Sequence, residues 1–81
     1  MTQHPMPLPL QVAGAPELGT ITIDMAYEFP RLERLIRQRQ HDGEALPRTI
    51  DRIMMNGYEM DQAMLIVAIV NQRRRDGVSW P

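Results

Sequence analysis

The 81-residue chain has no cysteine, no lysine and only one serine, Ser79. The lack of cysteine excludes disulfide bonds and thiolate zinc sites. Nucleophilic catalysis by serine, cysteine or lysine therefore has almost no candidate side chain. The two histidines, His4 and His41, are not spaced as metal ligands, and no glycine-rich phosphate loop is present. We expect a non-catalytic protein that uses no metal, no cofactor and no small-molecule substrate.

Long apolar stretches are also absent. The longest run, MLIVAIV at 64–70, has seven residues, whereas a membrane-spanning helix needs about 20. The first residues carry neither the basic cluster nor the apolar stretch that marks a signal peptide. We therefore expect one water-soluble, cytoplasmic domain. Because a chain of this size buries only about 60% of its unfolded surface, oligomerisation or a partner protein is expected to add stability.

Charge is unevenly distributed, although the net charge is only −1. Residues 1–30 contain three acidic residues and no basic one, and all nine basic residues are arginine, whose guanidinium group suits carboxylate or phosphate recognition. The arginines form a helical group (Arg31, Arg34, Arg37, Arg39), a pair (Arg48, Arg52) and a terminal run (Arg73, Arg74, Arg75). An acidic first third and basic later segments would let copies of the chain, or partners, meet with opposite charge.

Proline dominates the start of the chain. The prolines at alternate positions from Pro5 to Pro9, together with Pro16, remove backbone donors and favour extended or polyproline backbone. The predicted organisation is an extended or flexible arm over 1–19, a single globular domain over 20–78 and a short tail over 79–81.

Polar and apolar side chains alternate over residues 20–28, TITIDMAYE, with Ile21, Ile23, Met25 and Tyr27 on one side. This two-residue repeat predicts a half-buried β-strand. A lone strand leaves its backbone N–H and C=O groups without partners, so it must pair with something. The candidates are the sheet edge of another protein, a strand from the N-terminal arm, or the same strand of a second copy.

The rest of the chain predicts three helices, over 30–42, 47–56 and 59–76, and hence a mainly α fold with one N-terminal strand. Pro30 and Pro47 each suit a first helical turn, where the missing N–H has no helical partner. Gly43 and the pair Asn56-Gly57 suit helix ends. In the third segment, an acidic start and a basic end complement the helix dipole. The β-branched run 64–70 leaves a buried strand as the alternative there.

The pattern favours a small non-catalytic protein–protein interaction module, such as an accessory subunit, an assembly factor or an inhibitor, that binds another protein or a second copy of itself. Adding a strand to an exposed sheet edge is a common recognition mode, and methionine, aromatic and arginine side chains outside the apolar stripes are typical of interfaces. Met54 and Met64, at helical spacing, are interpreted as core residues. The predicted binding residues are Ile21 and Ile23 in the strand, Met55, Tyr58 and Trp80 as side-chain contacts, and Arg34 and Arg37 at a charged rim.

A dimeric DNA-binding regulator is the alternative. The order strand, helix, helix in ITIDMAYEFPRLERLIRQRQHDGEALPRTIDRIMMNG resembles that of ribbon-helix-helix dimers, which implies a two-stranded ribbon, one strand from each copy, in the major groove. A helix-turn-helix over RTIDRIMMNGYEMDQAML is a second route to DNA. In both cases Arg73, Arg74 and Arg75 are the candidate phosphate contacts. Acidic residues in the strand and at the start of the third helix oppose binding to a polyanion.

Overall fold

The computed structural model describes residues 8–79, and over that range the chain is mainly α-helical, as the sequence predicts. No helix in this range is long and apolar enough to cross a membrane. The elements follow in the order β1 (Leu8–Leu10), a 3-10 turn (Pro16–Leu18), β2 (Ile21–Ile23), α1 (Glu28–His41), α2 (Leu46–Met55) and α3 (Met60–Arg75).

The predicted strand pairs with the N-terminal arm of the same chain. Strands β1 and β2 are antiparallel, with Leu8 opposite Ile23 and Leu10 opposite Ile21. Of the three partners expected for β2, the described structure therefore shows the strand from the N-terminal arm. In a ribbon-helix-helix dimer, β2 would instead pair with β2 of a second copy.

The strand is three residues long, shorter than the alternation over 20–28 predicts. Asp24 ends it, because the Asp24 carboxylate accepts hydrogen bonds from the backbone N–H groups of Ala26 (2.7 Å) and Tyr27 (3.2 Å). The Asp24 carbonyl also accepts from the N–H of Phe29, at 2.9 Å. These bonds fold the backbone into a turn, which is a usual role of aspartate. Helix α1 consequently begins at Glu28, with Pro30 as its third residue and not its first.

The helix ends lie close to the predicted positions. Gly43 and Gly57 follow α1 and α2 with positive φ angles of 78° and 101°, a conformation that glycine adopts without strain. Pro47 is the second residue of α2. The run 64–70 is helical, which the sequence favours over a strand, and the Gln62 side chain caps the start of α3 by accepting from the Glu59 N–H at 2.9 Å.

Helix α3 contributes more of the core than any other described element. Its buried residues are Ala63, Leu65, Ile66, Val67, Ile69 and Val70. They pack in one cluster with Phe29, Leu32 and Ile36 of α1, Ile50 and Ile53 of α2, Ile21 and Ile23 of β2, and Val12. The N–H of Ala13 also donates to the side chain of Gln72 on α3, at 3.0 Å. The part of the arm around Val12 therefore packs against the helices.

Candidate interaction surface

Ile21 and Ile23, predicted to bind a partner, have side chains in the core. They are only 4% and 3% exposed, and their backbone pairs with β1 of the same chain. Thr22, between them, is exposed. The apolar side of the strand therefore serves folding, and a partner would not reach these two side chains.

Tyr58 is partly buried against the core. It is therefore less exposed than its position outside the apolar stripes predicts. The Tyr58 hydroxyl donates to Glu28 Oε2 at 2.9 Å, and the same carboxylate forms a 3.1 Å ion pair with Arg31. Burial, and then the negative charge and hydrogen bond of Glu28, raise the pKa of Tyr58 to about 12. Tyr58 thus fastens the α2–α3 turn to the start of α1.

Two predicted arginines belong to a buried ion-pair cluster, which we define as Glu33, Arg37 and Arg73. Glu33 is 2% exposed and Arg37 is 9% exposed. Glu33 Oε2 accepts from Arg73 Nε at 2.7 Å and from Arg37 Nη2 at 3.3 Å, and its Oε1 accepts from Arg73 Nη2 at 3.2 Å. The Arg73 guanidinium also lies 5.3 Å from the centre of the Phe29 ring. Arg37 is therefore not the exposed rim charge that the sequence predicts, and Arg73 is engaged inside the fold.

The other predicted residues are exposed but do not lie together. Met55 is 86% exposed and borders a shallow depression of about 200 Å³ with Leu35, Arg52 and Asn56. Arg34, Arg74 and Arg75 are exposed on α1 and α3. Arg74 Nη1 donates to the side-chain oxygen of Gln40 at 3.0 Å. Trp80 lies outside the described residues.

An apolar groove lies between α2 and α3. It consists of two adjoining depressions of about 250 Å³ and 170 Å³, which share Leu46, Ile50 and Met64. We name it the methionine groove and define it by Leu46, Pro47, Ile50 and Asp51 of α2 and Met60, Met64, Val67, Ala68 and Asn71 of α3. None of the predicted binding residues within the described range 8–79 lines it.

The groove is open because α1 and α2 do not cover every side of α3. Leu46, Met60 and Met64 are 57%, 58% and 57% exposed. Met60 and Met64 are four residues apart and so share one side of the helix, away from Ile66, which is fully buried. Met64 is thus not the core residue that its helical spacing suggests. A contiguous apolar patch of this kind marks an interaction site more often than a single exposed apolar residue does.

The two ends of the groove differ in charge. Asp51 lines the end beside Met60, and Asp61 follows Met60 in the first turn of α3. Asn71 lines the other end, where its side-chain oxygen accepts from Gln40 Nε2 at 2.7 Å. Arg74 and Arg75 follow in the last turn of α3. Helix α3 therefore runs from an acidic first turn at the Asp51 end of the groove to a basic last turn beyond the Asn71 end.

His41 belongs to a different depression, of about 240 Å³, lined by Arg37, Gln40, His41 and Arg74. No carboxylate is among these lining residues, and within residues 8–79 no group of three acidic or histidine side chains is arranged to hold a metal ion. The depression presents the guanidinium groups of Arg37 and Arg74 beside the His41 imidazole.

No protein-family model matches this chain, and neither a curated protein nor a solved structure matches it. The described geometry defines its class as a small, mainly α domain with an open apolar groove.

Proposed function

We propose that this protein is a small non-catalytic protein–protein interaction module, such as an accessory subunit, an assembly factor or an inhibitor of a larger assembly, and that it binds through the methionine groove. The observation that carries the proposal is the exposure of Leu46, Met60 and Met64, each more than half exposed around one continuous apolar depression. The groove replaces strand β2 and Tyr58 as the proposed binding surface.

The proposed contacts are energetically substantial. Full burial of a methionine or leucine side chain contributes about 1.5–3 kcal/mol, and these three side chains are already partly covered, so each offers a fraction of that. Methionine is unbranched and polarisable, and therefore adapts to apolar surfaces of varied shape. An apolar groove between two helices suits the apolar face of a third helix, which is a common mode of recognition.

Site-specific photo-cross-linking tests this proposal whatever the identity of the partner. The photoreactive residue p-benzoylphenylalanine is introduced at Met60 or at Met64, and the cells that make the protein are irradiated. We expect a cross-linked product of the same mass from both positions, because both side chains line the same groove. Mass spectrometry then identifies the attached protein, whether it is a different chain or a second copy of this one.

Met55 is the matched control, because it is more exposed than either groove methionine and lies in a different depression. The product should be absent when the photoreactive residue is at Met55. It should also disappear when Leu46→Glu is combined with the photoreactive residue at Met64. Equal yields at Met55 and Met64, or no product at either groove position, would contradict the proposal.

A further inference from the structure

Along one side of α3, the side chains change from acidic, through apolar, to basic. At 100° per residue, one side of this helix is formed by the exposed residues Met60, Asp61, Met64 and Arg75 and the partly buried residues Ala68 and Asn71. The first turn of this side is acidic, the middle is apolar and the last turn is basic. A helix with this pattern is complementary to an identical helix that runs in the opposite direction.

Ala68 lies at the midpoint of this pattern. Asp61 precedes it by seven positions and Arg75 follows it by seven, which is about 10 Å along the helix in each direction. A twofold axis at Ala68 would therefore bring Asp61 of each copy beside Arg75 of the other. The small side chain of Ala68 would let the two helices approach closely at the axis.

From this arrangement we infer that the methionine groove binds a second copy of this chain, with the two α3 helices antiparallel about a twofold axis at Ala68. The inference rests on the proposed function, for which it names the partner. A symmetric pair uses the same surface twice, so the basic last turn of the other copy's α3 would cover Met64 and border Met60 in each copy. Antiparallel helices also place the acidic first turn of one beside the basic last turn of the other.

Both charged residues are free to make this contact. Asp61 and Arg75 are exposed, and neither belongs to an ion pair among the described residues. The Asp61 carboxylate accepts one described hydrogen bond, from the backbone N–H of Gln62 at 2.9 Å. The neighbouring Arg73, by contrast, is already bound to Glu33. Since a chain of this size has a small core and here has no cysteine, the added burial would also stabilise the fold.

Sedimentation equilibrium of the full chain, from micromolar to millimolar protein, tests the inference. Wild-type protein should show a reversible monomer–dimer equilibrium. Asp61→Arg and Arg75→Asp each replace two attractive contacts per dimer by two repulsive ones, so each variant alone should dimerise about tenfold more weakly at low salt. An equal mixture of the two variants restores both attractive contacts and should dimerise about as well as wild type.

The mixture distinguishes a loss of charge pairing from damage to the helix. A substitution that destabilises its own helix does so equally alone and in the mixture, so only pairing between the two variants can restore dimerisation. Arg48→Asp, an exposed charge reversal on α2 outside the defined groove, should leave dimerisation unchanged. A mixture as weak as its two components would overturn the antiparallel arrangement.

The apolar half of the inference has its own test. Met64→Glu should weaken dimerisation about a hundredfold, since it removes two apolar contacts per dimer and buries two charges. Met55→Glu should not change it. Wild-type protein that remains monomeric at millimolar concentration would overturn the inference, whereas a product cross-linked to a different protein at Met64 would still support the proposed function. Failure of both measurements would remove the proposed function as well.

Discussion

The two sides of α3 differ in how their side chains are covered. On the side that faces α1, the Glu33 carboxylate is held by two guanidinium groups, of Arg37 and Arg73, and Arg73 lies over the Phe29 ring. On the side that faces α2, Met60 and Met64 remain more than half exposed beside Leu46. The charged groups on the first side are paired inside the chain, whereas the apolar side chains on the second side remain exposed.

This difference separates residues that stabilise the fold from residues that we propose to bind a partner. A buried charge without a partner is costly, so each member of the ion-pair cluster depends on the others. An exposed methionine contributes little to the folded state, and its removal changes chiefly what the surface can hold. Substitutions on the α1 side should therefore lower the free energy of unfolding, whereas matched substitutions in the groove should lower binding.

The largest loss of stability is expected from Glu33→Gln. This change leaves Arg37, 9% exposed, and Arg73 without their shared carboxylate, and breaking a buried ion pair costs about 3–5 kcal/mol. Urea unfolding followed by circular dichroism measures the loss. Glu17→Gln, at an exposed position outside any ion pair of the described residues, should change the free energy of unfolding by less than about 0.5 kcal/mol. Equal effects of the two changes would contradict a structural role for the cluster.

A matched pair of alanine substitutions on α3 makes the comparison within a single helix. Ile66 is fully buried and Met64 is 57% exposed. Ile66→Ala should lower the free energy of unfolding by about 2–5 kcal/mol, because it leaves a cavity. Met64→Ala should change it by less than about 0.5 kcal/mol when measured on the monomer at low protein concentration. A large loss from Met64→Ala under those conditions would mean that Met64 is a core residue.

An intermediate effect is expected from Tyr58→Phe, which removes the hydroxyl bonded to Glu28. A hydrogen bond to a charged group contributes about 1.5–3 kcal/mol, and partial exposure places Tyr58 near the lower value. The effect should depend on pH, because the pKa of Tyr58 is raised from 10.0 to about 12. Folding favours the protonated phenol, so this stabilisation is complete below pH 10 and is lost between about 10 and 12. A constant difference between wild type and Tyr58→Phe across that range would contradict this account.

The smallest effect is expected in the α1–α2 loop, away from both sides of α3. The pKa of Glu44 is below its ordinary value of 4.5, chiefly because its carboxylate accepts a 2.9 Å hydrogen bond from Arg52. A hydrogen bond from the Thr49 hydroxyl lowers this pKa further. A lowered carboxyl pKa stabilises the fold above the ordinary value and loses that contribution as pH falls through the folded-state pKa. Glu44→Gln should therefore flatten the acid side of the stability profile. A difference between wild type and Glu44→Gln that stays constant as pH falls through this range would show that the Arg52 contact does not lower the pKa of Glu44.

Much of the fold follows from local signals in the sequence. Pro30 and Pro47 lie in the first turns of α1 and α2, and glycines end the helices. The charged ends of 59–76 identify α3 as a helix in spite of its β-branched centre. The predicted strand is too long because alternation continues past Ile23, while the Asp24 side chain has already turned the backbone.

The proposed binding surface is less predictable from the sequence, since the exposure of a side chain depends on contacts between distant residues. Tyr58 is held by Glu28, thirty positions earlier, and Arg73 is held by Glu33, forty positions earlier. No local pattern reveals such partners. One signal does bear on the groove: a helix that is apolar on nearly all sides cannot be fully covered by two other helices. That excess of apolar surface could have identified Met60 and Met64, although the helical spacing of Met64 suggests the core.

The methionine methyl groups provide the most direct test of the groove as the binding surface. Carbon–proton correlation spectra of protein labelled at these methyl groups, recorded as the protein concentration rises, report on each methionine separately. The Met60 and Met64 signals should shift together with concentration as a second copy covers the groove, while the more exposed Met55 signal stays fixed. A shift at Met55 with Met60 and Met64 unchanged would place association on the wrong side of the molecule and contradict the account.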